Sequence, residues 1–174
     1  LESESSNLVT PIILDVTGKN SIEEAYKIIS NDSDYNFFGV VNNAGIGISG
    51  VLEATPLEDI KKLMDVNVIG LMAVTQTFIP LLKKSKGRII NIGSTSGYLA
   101  TPGSSAYSGS KFAVKAITDS LRRELSIFDI SVCLVSPGAV ESEIWDKSKS
   151  YKEKIRSSIS QDLLDEYSVF INYG

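Results

Sequence analysis

The chain has 174 residues, 43% of them hydrophobic and 22% charged, which suffices for one packed core and matches a single globular domain. Its formal charge of -4, with Lys and Arg interspersed among Asp and Glu, leaves no basic patch to neutralise phosphates and argues against nucleic acid as a partner. No metal site is expected, and the one cysteine, Cys133, lies in an apolar run, where it reads as a small buried hydrophobe in a reducing compartment.

Taken in chain order, "PIILDV" (11–16) is a short apolar run bounded by turn residues and reads as a strand. A helix over 21–31 follows, opened by a capping box of Ser21 and Glu24 and carrying Ile22, Ala25, Ile28 and Ile29 on its apolar face. "FFGVVNNAG" (37–45) is the second strand. The next helix, 56–84, has Thr55 as cap, Pro56 in the first turn and Glu58 closing the box. Its apolar stripe runs through Ile60, Met64, Leu71, Val74 and Phe78. "GRIINIGS" (87–94) is the third strand, and residues 105–126 form a helix with Val114, Ile117, Leu121 and Leu125 on one stripe. "ISVCLVSPG" (130–138) is the fourth strand. Residues 141–174 are polar and charged, with Ile155, Ile159, Leu163 and Tyr167 at four-residue spacing, the pattern of one amphipathic helix.

The strands are continuously apolar, as when both faces of a sheet are covered. Strand and helix alternate, which predicts an α/β fold: a doubly wound parallel sheet with right-handed crossovers and helices on both faces. There is no internal repeat and no low-complexity linker. No apolar run approaches the roughly 18 residues of a membrane span, and no secretory signal is visible, so a cytoplasmic location is the default expectation. The chain opens on Leu1 and not Met, and a membrane anchor in flanking sequence would overturn that default.

Each apolar run ends in polar or turn residues: Asp15, Asn42 with Asn43, Ser94, and Ser136-Pro137-Gly138. In open α/β sheets ligands bind outside the carboxyl ends of the strands, so four such ends predict one cleft. The competing reading of any single one is a loop that is polar because loops are. Asn67 interrupts the apolar stripe of the 56–84 helix. Left unpaired, a buried amide costs roughly 1–3 kcal/mol, so Asn67 either bonds to backbone as a structural pin or lines a polar site. In "SSAYSGSK" (104–111), Tyr107 and Lys111 stand four apart and share a face if the segment is helical, a spacing that also recurs by chance.

Together, "NNAG" at 42–45, Asn67 within "MDVNVIG", Ser94, "YSGSK" at 107–111 and "PGAV" at 137–140 resemble the short-chain dehydrogenase/reductase family, in order and in spacing. The resemblance covers roughly residues 11 to 145. The stretch "DSLRRELSIFDISV" (119–132) further resembles its retinol and hydroxysteroid dehydrogenase branch. The resemblance implies a Rossmann-type domain, incomplete at both ends, that moves a hydride between NAD or NADP and an alcohol or ketone. Tyr107 would be the general acid/base, Lys111 the cation favouring its phenolate and binding the nicotinamide ribose, Ser94 the hydrogen-bond partner of the substrate oxygen, and Asn67 the holder of a water leading from Lys111 to bulk. A phenol ordinarily ionises near pH 10, so a base at neutral pH needs such a cation beside it.

For the cofactor, the resemblance implies contacts from Asp15 and Val16 to the adenine, a turn of Asn43, Ala44 and Gly45 packed beside the cofactor, and Pro137, Gly138 and Val140 next to the nicotinamide carboxamide. Ser142 stands where the family commonly has threonine. The glycine-rich pyrophosphate turn and the residue choosing NAD over NADP are expected upstream of residue 1, and the glycines of "GIGISG" (45–50) read as loop. Residues 141–174 would cover the substrate as a lid, with one more strand after them. The isolated chain is expected to bind nucleotide weakly. The two long helices would form a homodimer or tetramer. Two alternatives remain open: a non-catalytic scaffold built on the same fold, and a relative that uses nucleotide for epimerisation or dehydration.

Overall fold

Three short strands build the sheet: β1 (Gly39–Asn42), β2 (Arg88–Ile92) and β3 (Ser131–Val135), all parallel and in the order β1-β2-β3. The structure, a computed structural model, describes residues 9–33, 36–139 and 143–171. The register sets Val40 beside Ile89 and Ile89 beside Val132, with Asn42 opposite Asn91 one step of the pleat further on. Side chains alternate across a strand, so these residues share one face and Val41, Ile90 and Cys133 share the other.

The first face carries the core. Helices α1 (Lys19–Asn31), α3 (Leu71–Ser85) and α4 (Ser105–Glu124) bring Ile22, Phe78, Leu82 and Leu125 onto Val40, Ile89 and Val132. On the second face Val41 and Val135 are exposed, and so is Cys133. Among the described residues the helices cover one face of the sheet, half of the doubly wound arrangement. That is why Cys133 is not the buried hydrophobe its apolar neighbours suggest: it points to the uncovered side.

A polar chain runs through the covered layer. The Asn42 Nδ2 donates to Thr75 Oγ1 at 2.9 Å and to Asn91 Oδ1 at 2.8 Å, and Asn91 donates to Thr118 Oγ1 at 2.9 Å. Thr118 passes its proton to the Val114 carbonyl at 2.7 Å. Two strands and two helices are thereby locked in register by bonds with no access to water. Asn42 therefore faces inward, and the expectation that it joins the strand-end cleft is corrected.

Residues 11–16 are extended but unpaired, contrary to the expected strand. Ile12 and Val16 lean on the core while Ile13 is exposed. An apolar gap of about 220 Å³ lies here, bordered by Ile12 and Leu14 of this stretch and by Gly39 and Val40 of β1. Helix α1 begins two residues earlier than its sequence signal, at Lys19 after Gly18. Ser21 does not cap it; its Oγ accepts from the Asp15 backbone N–H at 2.9 Å.

The helix expected over 56–84 spans α2 (Leu57–Met64), a π-helical turn (Asp65–Gly70) and α3. Thr55 donates to the Val51 carbonyl at 2.8 Å and does not cap the helix. Leu63, Asn67, Val68 and Gly70 are buried ahead of Leu71, so Leu63 replaces Met64 on the stripe before the π turn while Asn67 and Leu71 keep their expected places. By length and composition residues 57–85 also reach the standard for crossing a membrane, with mean hydropathy 1.4, which the search for apolar runs missed. Their buried side is accounted for by packing on α1, β1 and α4. The amphipathic segment after β3 is three helices and not one: α5 (Glu143–Ser158), α6 (Gln161–Glu166) and α7 (Ser168–Ile171). Ser160 stops the pattern by capping α6, its Oγ accepting from Leu163 N–H at 3.3 Å.

Candidate active site

Helix α4 starts at Ser105 and presents Tyr107 and Lys111 on one face, with the Lys111 Nζ 5.8 Å from the Tyr107 ring centroid. Tyr107 is half-buried and Lys111 is 8% exposed. The ammonium donates to the Ile92 carbonyl at 3.1 Å, at the carboxyl end of β2. An ammonium has three donors, and among the described residues the other two have no partner. No carboxylate pairs with Lys111 there either, and burial pushes its pKa below the ordinary lysine value. A desolvated cation with open donors is the electrostatic centre of this rim.

Asn67 connects the loop after β1 to α4. Its Oδ1 accepts from the Ile46 N–H at 2.8 Å, while its Nδ2 donates to the Ile46 carbonyl at 2.9 Å and to Ser110 Oγ at 3.1 Å. Ser110 in turn donates to the Tyr107 carbonyl at 2.7 Å. Asn67 lies within the π turn and is 2% exposed. A Cβ on Gly45 would stand 3.5 Å from Asn67 Oδ1 and 3.8 Å from Lys111 Nζ, so the glycine backs directly onto both.

Ser94 follows β2 and caps a single 3-10 turn, its Oγ accepting from the Ser96 N–H at 3.1 Å and its own proton remaining to donate. The turn is tied to the loop after β3 by Thr95 N–H to the Pro137 carbonyl at 3.0 Å, just beyond a bond from Gly93 N–H to Val135 at 2.7 Å. It also presses on α4 at Gly97. Gly138 is exposed, with no atom within 4 Å of where a Cβ would sit. The Ser136 Oγ beside it is buried and has no hydrogen-bond partner among the described residues.

Of the strand-end residues, Gly45 lies against Lys111, and the turn capped by Ser94 is joined to Pro137 through Thr95 and to the Lys111 backbone through Gly97. Asn43 and Ala44 are exposed on the approach to Gly45. Val16 meets the π turn at Gly70, where a Cβ would be 2.8 Å from the Val16 Cγ2, one turn beyond Asn67. Asp15 stands apart from the centre, exposed, its carboxylate held below the usual range by the Thr17 hydroxyl at 2.7 Å and backbone N–H at 2.8 Å. Val140 and Ser142 lie outside the described residues. Sequence reasoning missed Ser110 and Gly97. Ser110 was legible only as the residue before Lys111 on the inward side of α4, and Gly97 had no signal beyond being glycine after a strand.

The sequence matches the family described as short chain dehydrogenase over residues 1–153. It is 47% identical over 135 residues to the 3-amino-tetrahydro-pyrrolizinone reductase of Xenorhabdus hominickii, covering 77% of this chain and 47% of that one. With retinol dehydrogenase 7 of Mus musculus it shares 32% over 181 residues, 96% of this chain and 56% of the relative. A short-chain dehydrogenase from Burkholderia cenocepacia, solved in complex with NADP, superposes with a TM-score of 0.75 at 29% identity, over 83% of this chain and 60% of that one. The chain spans about half the length of the curated relatives it matches. Its ordered motifs, its parallel sheet with flanking helices and these likenesses agree, and the chain belongs to the short-chain dehydrogenase family.

Proposed function

We propose that this chain carries the catalytic centre of an NAD(P)-dependent oxidoreductase that interconverts an alcohol and a ketone: alcohol and NAD(P)+ give ketone, NAD(P)H and a proton. The observation that carries the reading is the buried Lys111 ammonium, which among the described residues has two open donors and no carboxylate partner, with Tyr107 on the same helix face. A scaffold gains nothing from a desolvated cation left partly unpaired, which costs stability.

The residues present suit the cofactor. Open donors on Lys111 fit ribose hydroxyls, and Gly45 and Gly138 bring bare backbone to the rim, where a side chain would take up space. Asp15 and Val16 would serve the adenine, Asn43 and Ala44 the approach to Gly45, and Pro137 and Val140 the carboxamide end. When bound, NAD(P) supplies or accepts the hydride.

The protein's part is the proton. Tyr107 Oη takes the hydroxyl proton of the alcohol in oxidation and returns it in reduction, and the Lys111 charge stabilises the phenolate between those steps. Ser94, with its hydroxyl proton free, donates to the substrate oxygen. Asn67 positions the centre by clamping Ile46 to α4 through Ser110. Both protons of its amide are committed there, so a water linking Lys111 to bulk has only the oxygens of Asn67 to bind. Helices α5 to α7 act as a substrate cover, held to the segment around α2 by Tyr151 donating to Asp59 and Tyr167 to Glu53, each at 2.9 Å. Helices α3 and α4, which expose Met72 and Phe112, pair with a second copy.

The test is Tyr107→Phe in the full-length protein. Turnover of ketones with NADH or NADPH is expected to be abolished while cofactor affinity, measured by equilibrium dialysis, changes less than about threefold. Retained turnover removes the mechanism.

A further inference from the structure

A cavity of about 60 Å³ lies between the loop at 49–51, the turn at 102–103 and helix α5. Its floor is fixed by the Gly50 N–H, which donates to the Gly103 carbonyl at 2.8 Å, and Gly103 stands in the turn two residues before α4 and four before Tyr107. Gly50 also sits against Ile155, which is 5% exposed and anchors α5 to this wall. The lining is apolar at Val51, Pro102, Ile155 and Phe170, yet the two charged groups bordering it, Lys152 and Arg156, are both cations.

Three observations make that pair more than a solvated helix face. Lys152 and Arg156 are four apart on one side of α5, where like charges destabilise a helix by roughly 0.2–0.5 kcal/mol. Among the described residues neither forms an ion pair. Arg156 also borders a second depression, shared with Glu153 and Asp165, where Asp165 accepts from Gln161 at 2.8 Å and, among the described residues, no ion pair to Arg156 forms. Helix α5 also carries five cations (Lys147, Lys149, Lys152, Lys154, Arg156) against three carboxylates (Glu143, Asp146, Glu153) in a chain whose net charge is -4. A water takes about 30 Å³ in the liquid, so the cavity has room for a group of carboxylate size.

We infer that this cavity receives the carboxylate of a short oxo or hydroxy acid, with Lys152 and Arg156 as its counter-ions and Tyr107 acting on the carbonyl at the substrate's other end. The inference rests on the oxidoreductase reading and narrows its substrate class from alcohols and ketones at large to anionic ones. Val51, Pro102 and Phe170 enclose the intervening carbons. Hydrogen bonds to a charged group are strong enough to discriminate an acid from its neutral ester by about tenfold or more.

The experiment compares 4-oxopentanoate with its methyl ester in the full-length protein, following NADH and NADPH oxidation. The acid is expected to have at least a tenfold higher kcat/KM, through KM. In the double variant Lys152→Gln, Arg156→Gln the ratio is expected to fall to within about twofold of one, with kcat for the acid changed much less than its KM. Lys152→Glu with Arg156→Glu is expected to favour a ketone bearing a quaternary ammonium over 4-oxopentanoate. Calorimetric titration of both ketones into the Tyr107→Phe variant with bound cofactor reads affinity apart from turnover, and the acid is expected to bind at least tenfold more tightly. Equal use of acid and ester by the native protein, or a preference that survives the double Gln variant, overturns the inference while leaving the oxidoreductase reading in place. No nucleotide oxidation with either ketone overturns that reading and this inference with it.

Discussion

Gly97 lies directly against Lys111: a Cβ on the glycine would stand 2.8 Å from the lysine's carbonyl oxygen and 3.1 Å from its carbonyl carbon. Both atoms are backbone inside α4, so neither can yield without moving the helix. Gly97→Ala is therefore expected to cost about 1–3 kcal/mol in chemical denaturation. It should also reduce turnover beyond what lost stability explains, because it pushes the Ser94 turn away from the centre. Gly109 is the control within α4. With nothing within 4 Å of its would-be Cβ, Gly109→Ala should stabilise by about 0.5–1 kcal/mol.

The amide chain through the core gives a second prediction. Asn91→Val alone leaves Asn42 without its strand-to-strand acceptor and Thr118 without a donor, all at buried positions. A loss of about 1–3 kcal/mol is expected. The pair Asn42→Val and Asn91→Val removes both partners at once and should destabilise by less than the sum of the singles, with a coupling of about 1 kcal/mol in a double-mutant cycle. Additive losses would mean that the two amides do not support each other.

The same amide shows what sequence could and could not reveal. Strands β1, β2 and β3 and helix α4 were legible because each is a dense local pattern between turn residues; helical spacing put Tyr107 and Lys111 on one face, and their roles came only with the family resemblance. Asn42 was misassigned because a polar residue at a strand end carries no local sign of which face it takes; that is set by register with Asn91. The run at 11–16 looked like a strand because composition reports apolar contact, which Ile12 and Val16 do make, and not ladder pairing. The π turn was invisible because it changes no residue type. Ahead of it Leu63 takes the place of Met64 in the buried stripe, while Asn67, within it, keeps the inward place expected from its spacing and bonds with Ile46 and Ser110.

Lys111 makes stability depend on pH in a definite direction. Burial lowers its folded pKa from 10.5, so between that lowered value and 10.5 the unfolded chain binds more protons than the folded one. Stability from this group therefore rises with pH across the window. In Lys111→Met the increment should vanish, which a difference plot of native and variant unfolding free energies against pH will read. At neutral pH the variant should change stability by less than about 1 kcal/mol, since relief of desolvation offsets the lost bond to Ile92. Turnover and cofactor binding should both fail. Loss of only one would separate the two roles assigned to this ammonium.

Tyr151 ties α5 to the start of α2 through Asp59, and burial together with that carboxylate pushes its phenol above the ordinary 10.0. A raised folded pKa means that the bond's contribution is fully present below pH 10 and is lost only as pH climbs through the folded value. Tyr151→Phe removes the bond and leaves the ring. Limited proteolysis of residues 143–158 at neutral pH is expected to quicken about fivefold, the equivalent of about 1 kcal/mol. Ultraviolet titration of phenolate should show the native chain keeping one tyrosine protonated beyond the range in which the variant's tyrosines have ionised. Tyr167→Phe is the comparison, because Tyr167 makes the same kind of bond to Glu53 near the surface, where solvent weakens it. Its effect on proteolysis should be smaller than that of Tyr151→Phe. Equal effects would mean that the cover is held by general packing and not by the buried phenol at Asp59.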